Sequence, residues 1–470
     1  MTWRGRVAVF LALAVLVVAC GAPPATTVPS PTATMPEPSA VAAVATATPT
    51  PTPTPTARPV SYIPPACQGR PIVTARPGAT PQPTATPQPD KPIERSLQLR
   101  VLETLAGRIE ERYLYPDFNG KDLTAIVARY RAEIEAGLDT PSFYQRMHAF
   151  IADLGDEHSS FESPVRKAAA DAQLAGTDSF VGVGLYVQPV LEKGYVTVLA
   201  VIPDSPAAHS GLQPHDAILT VNGLRLIEDG LFQNLFRGPE CSAVVMEVRM
   251  PGGLVERRTV VRARVSAAVP IDARLVPTTD GSRVAYIMVP TFFDTTIDDQ
   301  VRDALARLAP LDGLILDNRE NGGGSSRVLE PMLGLFTSGA VGAFVSRTSS
   351  RTLSIRAASV GNSQTVPLVV LIGHNTVSFG EIFSGILQDR GRAKLVGETT
   401  RGNVETLHAV NLPDGSRAWI AQEGFEAARS GVNWERTGVV PELEVQVAWE
   451  DVTFERDPAV KRALEVLGRR

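Results

Sequence analysis

Residues 367–389, PLVVLIGHNTVSFGEIFSGILQD, decide the fold of this chain. They begin with an apolar run typical of a buried β-strand, and they end with apolar residues at helical spacing. Ser378 lies at the junction, directly before the predicted helix. A strand that leads through a short turn into a helix predicts an α/β unit. In such units, binding sites gather where strands end and helices begin.

The same alternation continues on both sides of this stretch. Helices separate the successive strands, which favours a largely parallel sheet with helices on its faces. We therefore predict an α/β core over 271–449 and a C-terminal helix or tail over 450–470. The predicted strands lie at 283–290, 311–318, 367–373 and 393–398, and the predicted helices lie at 297–310, 325–336 and 379–389.

Ser378 is the candidate nucleophile of this core. A serine at the start of a helix lies beside free backbone amides, which can stabilise an oxyanion. The same position is also ordinary for a serine that only caps the helix. Gly322, Gly323 and Gly324 follow another predicted strand and could expose amides toward the same carbonyl. A plain loop or a phosphate cradle is the alternative, but no Gly-Lys-Ser/Thr follows, which disfavours the cradle.

Two further folded segments precede the core. Residues 93–170 carry apolar residues at helical spacing, which predicts a helical unit. Residues 176–265 contain short runs with β-branched alternation, which predicts a β domain. A length of 470 residues exceeds what one compact core usually holds. We therefore predict an α+β multidomain protein with an N-terminal helical unit, a β domain and an α/β core.

The beginning of the chain has the pattern of an export signal. Arg4 and Arg6 precede an apolar run at 7–18, and small Ala19 stands directly before Cys20. This pattern resembles the lipobox of bacterial lipoproteins, which implies a signal peptide over 1–20 and lipid attachment to the Cys20 sulfur. An ordinary secretion signal or an N-terminal membrane anchor is the alternative. In each case the rest of the chain leaves the cytoplasm.

Residues 21–92 are rich in proline and threonine and cannot bury enough apolar surface to fold, so we predict a disordered, semi-stiff linker. Outside the reducing cytoplasm, Cys67 and Cys241 could form a disulfide or stay free. Neither has the clustered spacing of a metal site, and we predict no metal and no cofactor. The net charge of −5 gives no reason to expect a nucleic-acid partner.

The β segment resembles a PDZ domain in the order of three motifs: VGVGLYV at 181–187, SPAAHSGL at 205–212 and HDAILTVNG at 215–223. The resemblance implies that glycine-loop amides hold the terminal carboxylate of a peptide while the peptide adds a strand to the sheet edge. A purely structural β unit is the alternative. The implied peptide-binding residues are Val181, Gly182, Val183, Gly184 and Leu185.

With DNRENGGG at 317–324 and NTVSFGEIFSGILQDRGRAKLVGETT at 375–400, the chain resembles the carboxyl-terminal processing peptidases and their wider serine-peptidase family. The resemblance implies a protease core of ClpP/crotonase type. It also implies Ser378 as the nucleophile, three residues before Glu381, and an oxyanion hole formed by Gly323, Gly324 and Phe379.

This chain departs from the Ser–Lys members of the family at the base. They carry a lysine where the segment RGNV has Asn403, which cannot accept a proton from serine. Lys394 lies in a predicted strand that runs away from Ser378. The chain instead resembles the tricorn core protease branch of the family, which has a Ser/His/Glu arrangement. This resemblance implies that His158 in LGDEH is the base and that Glu435 in WERTGVVPE is its partner.

The implied trio is chemically sufficient, because His158 could take the serine proton and Glu435 could orient the imidazole. His158 could instead cap the following segment or pair with Asp156, and Glu435 could be a surface charge. The rival bases are His374 and His408, and the rival acid is Glu405.

The sequence therefore predicts a serine endopeptidase, lipid-anchored on the outer side of a bacterial cell membrane, that binds protein or peptide substrates. The alternative is a catalytically inactive, PDZ-bearing peptide-binding surface protein. Esterase or amidase action on small substrates is a third possibility.

Overall fold

The computed structural model describes residues 62–74, 90–156, 158–174, 180–228, 231–266 and 268–469. The predicted signal peptide, Cys20 and most of the predicted linker lie outside these residues. Among the helices within these ranges, none has both the length and the apolar character needed to cross a membrane.

Helices dominate residues 90–174. The first helix buries Val101, Leu102, Leu105 and Ile109, which form the apolar stripe seen in the sequence. Thr140 is the first residue of a later helix, and the side chain of Asp139 before it accepts the capping hydrogen bond. The elements are β1 (Val73–Thr74), α1 (Arg95–Arg112), α2 (Leu123–Ala136), α3 (Thr140–Ala152), β2 (Ser160–Glu162) and α4 (Pro164–Leu174), with 3₁₀ turns at Pro65–Cys67 and Phe118–Gly120.

Residues 180–265 are rich in strands. Their largest sheet has the order β1-β10-β6-β5-β4, with β11 beside β10 and β7 beside β6, so β4 lies at an edge. The elements are β3 (Phe180–Gly182), β4 (Leu185–Val190), β5 (Tyr195–Val201), α5 (Pro206–His209), β6 (Ala217–Val221), β7 (Leu224–Arg225), β8 (Ile227–Glu228), β9 (Leu231–Phe232), β10 (Ser242–Arg249), β11 (Val255–Val261) and β12 (Ala263–Val265), with a 3₁₀ turn at Leu191–Lys193.

Residues 62–74, predicted to be part of a disordered linker, are instead attached to this β-rich segment. Cys67 forms a disulfide with Cys241, and Cys67 is buried. Strand β1 pairs in parallel with β10, with Val73 opposite Ser242. The covalent link and the strand pairing supply the order that the proline-rich composition does not.

The remaining residues form an α/β core. Its main sheet has the order β13-β14-β15-β18-β19-β22, and all of these neighbours are parallel except β13 and β14. The elements are β13 (Asp272–Val276), β14 (Val284–Met288), α6 (Ile297–Leu308), β15 (Gly313–Asp317), α7 (Ser326–Phe336), β16 (Gly339–Val345), β17 (Ser350–Ile355), β18 (Leu368–Ile372), α8 (Phe379–Asp389), β19 (Lys394–Gly397), β20 (Thr406–Asn411), β21 (Arg417–Ala427), β22 (Leu443–Glu444) and α9 (Pro458–Val466), with 3₁₀ turns at Trp449–Asp451 and Phe454–Arg456.

Burial explains the parallel arrangement of the central strands. Every residue of β14, β15 and β18 is buried, which is typical of strands covered by other elements on both faces. The alternation of strand and helix read from the sequence is therefore present in the structure.

A second sheet joins the N-terminal helices to the core. It has the order β17-β16-β21-β2, with β20 also paired to β21. The short strand β2 follows α3, and Ser160 lies opposite Trp419 of β21. This pairing places the segment just before β2 against the core.

Candidate active site

Ser378 lies at the turn between β18 and α8. Its φ of 56° and ψ of −124° form a backbone conformation that residues with a Cβ rarely adopt. Its amide donates to the carbonyl oxygen of Asn403 at 2.8 Å and to the carboxylate of Glu381 at 3.0 Å. These two bonds hold a strained turn in place at the start of the helix.

Glu381 fastens the first turn of α8 to the loop at 400–403. Its buried carboxylate accepts from the Thr400 hydroxyl at 2.6 Å, the Gly402 amide at 2.7 Å and the Asn403 amide at 2.9 Å. Burial raises the pKa of Glu381, and these hydrogen bonds oppose that shift because they favour the charged form. The glutamate therefore positions the backbone around Ser378.

The glycine loop lies directly against Ser378. A Cβ on Gly323 would stand 2.8 Å from the Cβ of Ser378, so a side chain there would displace the serine. The Gly323 amide donates to Asn321 Oδ1 at 2.9 Å. The amides of Gly324 and Phe379 have no acceptor within the described part of the chain. Two of the three predicted oxyanion donors are therefore free, and the third is occupied because the Asn321 side chain turns back onto it.

The pairing of β2 with β21 brings His158 toward the core. The next residue, Ser159, accepts a hydrogen bond from the Ala421 amide at 3.2 Å. His158 Nε2 lies 3.7 Å from Glu405 Oε2 and 3.8 Å from Glu435 Oε1, and the imidazole is 7% exposed. The predicted base and its predicted acidic partner are therefore in contact.

The carboxylates control the charge of His158. Burial lowers the pKa of His158, but the nearby carboxylates of Glu435, Glu405 and Asp156 outweigh burial, so the pKa is raised. Asp156 also accepts the backbone amide of His158 at 2.9 Å. His158 therefore contacts both Asp156, through its backbone amide, and Glu435, through its ring.

Glu405 and Tyr115 enlarge the site beyond the predicted trio. The Tyr115 phenol donates to Glu405 Oε1, and the Val404 amide donates to Glu435 Oε2 at 2.8 Å. Burial raises the pKa of Glu405. Both carboxylates face His158, so Glu405 accompanies Glu435 in this cluster. Tyr115 lies in no recognisable motif, and no signal in the sequence marks it.

The segment at 403–405 connects Ser378 with the histidine cluster. Asn403 binds Ser378 through the main chain, the Val404 amide binds Glu435, and Glu405 faces His158. Within the residues that the structure describes, no hydrogen bond joins Ser378 Oγ to His158.

The rival bases lie elsewhere. Lys394 is 65% exposed and lies 3.4 Å from Glu442. His408 lies on β20, 3.0 Å from Glu423. His374 is exposed, and among the described contacts none of these three side chains bonds to Ser378.

Two cavities open beside the histidine cluster. The larger has a volume of about 720 Å³ and the smaller about 200 Å³, and both are lined by Tyr115, Asn433 and Glu435. Arg436 lines the larger one, and Glu405 lines the smaller one. A substrate or solvent can therefore reach the carboxylates from this side.

The predicted peptide-binding residues lie between β3 and β4. Val181 and Leu185 are half-buried, and Leu185 begins the edge strand β4. Val183, predicted to line the groove, is 1% exposed and packs in the core of the β-rich segment. Gly182 pairs with Ala263, and the carbonyl of Gly184 accepts from the amide of Ile202 at 3.0 Å. Of the three apolar residues predicted to bind peptide, Val181 and Leu185 are accessible, and Val183 is not.

The site combines a serine at a helix start, free amides and a buried imidazole with carboxylates. Residues 283–445 match the sequence model of peptidase family S41. A carboxyl-terminal-processing protease from Synechocystis sp. is 27% identical over 331 residues, covering 69% of this chain and 76% of the relative. The chloroplastic C-terminal processing peptidase of Tetradesmus obliquus is 28% identical over 377 residues, covering 74% and 77%.

A solved structure shows the same fold. The photosystem II D1 C-terminal processing protease superposes with a TM-score of 0.55 at 24% identity, covering 75% of this chain and 93% of that one. The family match confirms the resemblance that was predicted from the motifs. Residues 283–445 of this chain therefore carry a peptidase family S41 domain, and peptidases of that family are serine-type peptidases.

Proposed function

We propose that this chain is a lipid-anchored serine endopeptidase, acting outside the cytoplasm, that cleaves proteins through an acyl-enzyme on Ser378. The observation that carries the proposal is the position of Ser378 at the start of α8, with Gly323 against it. The segment at 403–405 connects it to His158 and Glu435. These groups supply a nucleophile, an oxyanion site and a base.

His158 acts as the base. It takes the hydroxyl proton as Ser378 Oγ bonds to the scissile carbonyl carbon, and Glu435 stabilises the resulting imidazolium. The imidazolium then gives this proton to the leaving amine, the C–N bond breaks and an ester on Ser378 remains. Water, deprotonated by His158, hydrolyses the ester. Because no hydrogen bond joins the two side chains without substrate, substrate binding has to bring them together.

The negative charge that develops on the carbonyl oxygen needs donors that are already in place. The Phe379 amide is the first of α8 and carries the positive end of the helix dipole. The Gly324 amide comes from the glycine loop beside it. Neither amide has another acceptor among the residues that the structure describes, which supports this assignment.

We further propose that residues 176–265 act as a PDZ domain that binds substrate carboxyl ends. Strand β4 lies at a sheet edge, where an extended peptide can add a strand by main-chain hydrogen bonds. Val181 and Leu185 are half-buried and available to contact its side chains.

The anchor is proposed from Cys20. A lipid there would tether the chain to the membrane, and the disulfide between Cys67 and Cys241 would fix the far end of the tether to the β-rich segment. Replacing Cys20 by serine should move the protein from the membrane fraction to the soluble fraction. Retention of the variant in membranes would contradict the lipid anchor.

The proposed chemistry is tested with Ser378→Ala and with Ser354→Ala, an exposed serine of β17, as a matched control. A serine-reactive phosphonate should label wild type and Ser354→Ala but not Ser378→Ala. Cleavage of an unfolded protein substrate should follow the same pattern. Full activity of Ser378→Ala would show that the nucleophile is a different residue.

The rival function is peptide binding without catalysis, and Asn403 in place of the family's lysine favours it. It predicts that Ser378 stays unlabelled while a fluorescent peptide still binds. Parallel assays with a protein substrate and a small ester separate endopeptidase action from esterase action.

A further inference from the structure

His158, Glu405 and Glu435 bring one imidazole nitrogen and two carboxylate oxygens to a single point. His158 Nε2 lies 3.7 Å and 3.8 Å from the two carboxylates, and all three ligand atoms lie within 4.8 Å of one another. Bonds of about 2.0–2.2 Å place neighbouring ligand atoms of tetrahedral zinc about 3.3–3.6 Å apart. The cluster is therefore close to the size of a metal site, with the imidazole nitrogen about 0.1–0.5 Å farther from each carboxylate oxygen than in such a site.

Glu405 supplies an independent observation that points to a bound cation. Its side chain is 2% exposed, and its Oε1 is occupied by the Tyr115 phenol. Its Oε2 is buried and has no hydrogen-bond partner within the described residues. This unpaired oxygen is the one that faces His158 Nε2. A buried carboxylate oxygen without a partner is unfavourable, and a bound cation would satisfy it.

The two carboxylate ligands are also held by hydrogen bonds to their other oxygens, as metal ligands commonly are. The Val404 amide fixes Glu435 Oε2 at 2.8 Å, and the Tyr115 phenol fixes Glu405 Oε1. The oxygens that face His158 are therefore the ones left for a metal. The cavity of about 720 Å³ beside Glu435 leaves room for water at a fourth position.

We propose that His158, Glu405 and Glu435 form a binding site for a divalent transition metal of the zinc class. An imidazole with two carboxylates suits zinc, whereas calcium and magnesium prefer six or more oxygen ligands. The nitrogen and oxygen donors converge on one point, so the ion contacts all three residues and keeps one position open to water.

Metal binding has a consequence for catalysis, and this part rests on the proposed function. A neutral imidazole that binds metal through Nε2 carries its ring proton on Nδ1. It then has no lone pair with which to accept the Ser378 proton. Bound zinc therefore inhibits the peptidase, and its removal restores activity.

Binding is tested without catalysis, in full-length protein carrying Ser378→Ala. Titration of zinc chloride into the metal-free protein, followed by calorimetry, should show one site per chain. Glu405→Gln or His158→Gln, introduced together with Ser378→Ala, should raise the dissociation constant for zinc at least tenfold. His408→Gln is the matched control, because it removes another imidazole that faces a carboxylate, Glu423 at 3.0 Å. It should leave the constant within twofold.

Circular dichroism establishes that each variant is folded. Cobalt supplies a second readout, because tetrahedral cobalt absorbs in the visible and Glu405→Gln should abolish that absorption. Zinc affinity that is unchanged in both folded variants, Glu405→Gln and His158→Gln, would overturn the proposed site.

The two proposals fail in different ways. Zinc binding that depends on Glu405, in a wild-type protein without peptidase activity, would support the metal site and reject the catalytic proposal. An active peptidase whose zinc affinity is unchanged by Glu405→Gln and His158→Gln would support the catalytic proposal and reject the metal site. Inhibition of the wild type by zinc, reversed by EDTA, supports both.

Discussion

The amide of Ser378 and the carbonyl oxygen of Asn403 are joined by a hydrogen bond of 2.8 Å. Asn403 stands where the resemblance to the Ser–Lys peptidases predicts a lysine, and its main chain holds Ser378. The side chain at position 403 is therefore not required to hold Ser378. Two residues farther along, Glu405 contacts the imidazole of His158, which also contacts Glu435.

We expect His158→Ala to lower kcat at least 100-fold and Asn403→Ala to lower it less than tenfold. General-base catalysis contributes about 10²–10⁴-fold to rate, whereas Asn403→Ala keeps the main-chain bond to Ser378. Steady-state cleavage of an unfolded protein substrate measures both. A larger loss in Asn403→Ala than in His158→Ala would contradict the assignment of the base.

We expect Gly323→Ala to lower kcat about 100-fold, a size that a displacement of about 1 Å near the reacting atoms can produce. The added methyl would stand 2.8 Å from Ser378 Cβ, at a φ of +83° that alanine adopts poorly. Gly322→Ala is the matched control, since a Cβ there meets nothing within 4 Å. Equal activity of the two variants would show that the close approach of Gly323 is not required.

Glu320 should make stability depend on pH. Burial raises its pKa from the ordinary 4.5 to about 8, although Asn375 donates to its carboxylate at 2.8 Å. Between these values the folded state holds a proton that the unfolded state has lost. Stability conferred by the protonated carboxyl is therefore complete below about pH 4.5 and is lost as the pH rises through about 8, with a slope of up to about 1.4 kcal/mol per pH unit.

Urea unfolding at pH 5.5 and pH 8 measures this effect. We expect Glu320→Gln to lose less stability than the wild type between the two pH values, because glutamine does not titrate. An equal loss in both proteins would exclude Glu320 as the source of the dependence.

The disulfide between Cys67 and Cys241 should stabilise the β-rich segment. We expect Cys67→Ser to lower the free energy of unfolding by about 2–5 kcal/mol, because the bond closes a long loop in the unfolded chain. Thermal unfolding with and without reductant measures this. Cys20→Ser is the control and should leave the reductant effect unchanged. An insensitive wild type would contradict a structural role for the bond.

Local pattern was sufficient for much of the core. The strand before Ser378, the helix after it and the glycine loop were all readable from the sequence, because burial on both faces requires continuous apolar strands and one apolar face on each helix. Those elements also placed Gly323 and Phe379 beside the serine, since neighbouring parallel strands end at the same edge of a sheet.

Local pattern was not sufficient for hydrogen-bond partners. The sequence offered three oxyanion glycines and a helix-start amide, but it did not show that Asn321 would occupy the amide of Gly323. It also assigned residues 62–74 to a linker, since composition does not reveal the pairing of β1 with β10. Val183 was predicted to line the peptide groove, but its side chain packs in the core of the β-rich segment.

By itself the sequence determined the order of the elements and the position of the serine, because these depend on contacts between near neighbours in the chain. Only the tertiary structure decided which acids surround His158. That choice depends on the pairing of β2 with β21, in which Ser159 and Ala421 meet across 262 residues of sequence. The same pairing gathers Glu405, Glu435 and Tyr115 around one imidazole, a juxtaposition that no local periodicity encodes.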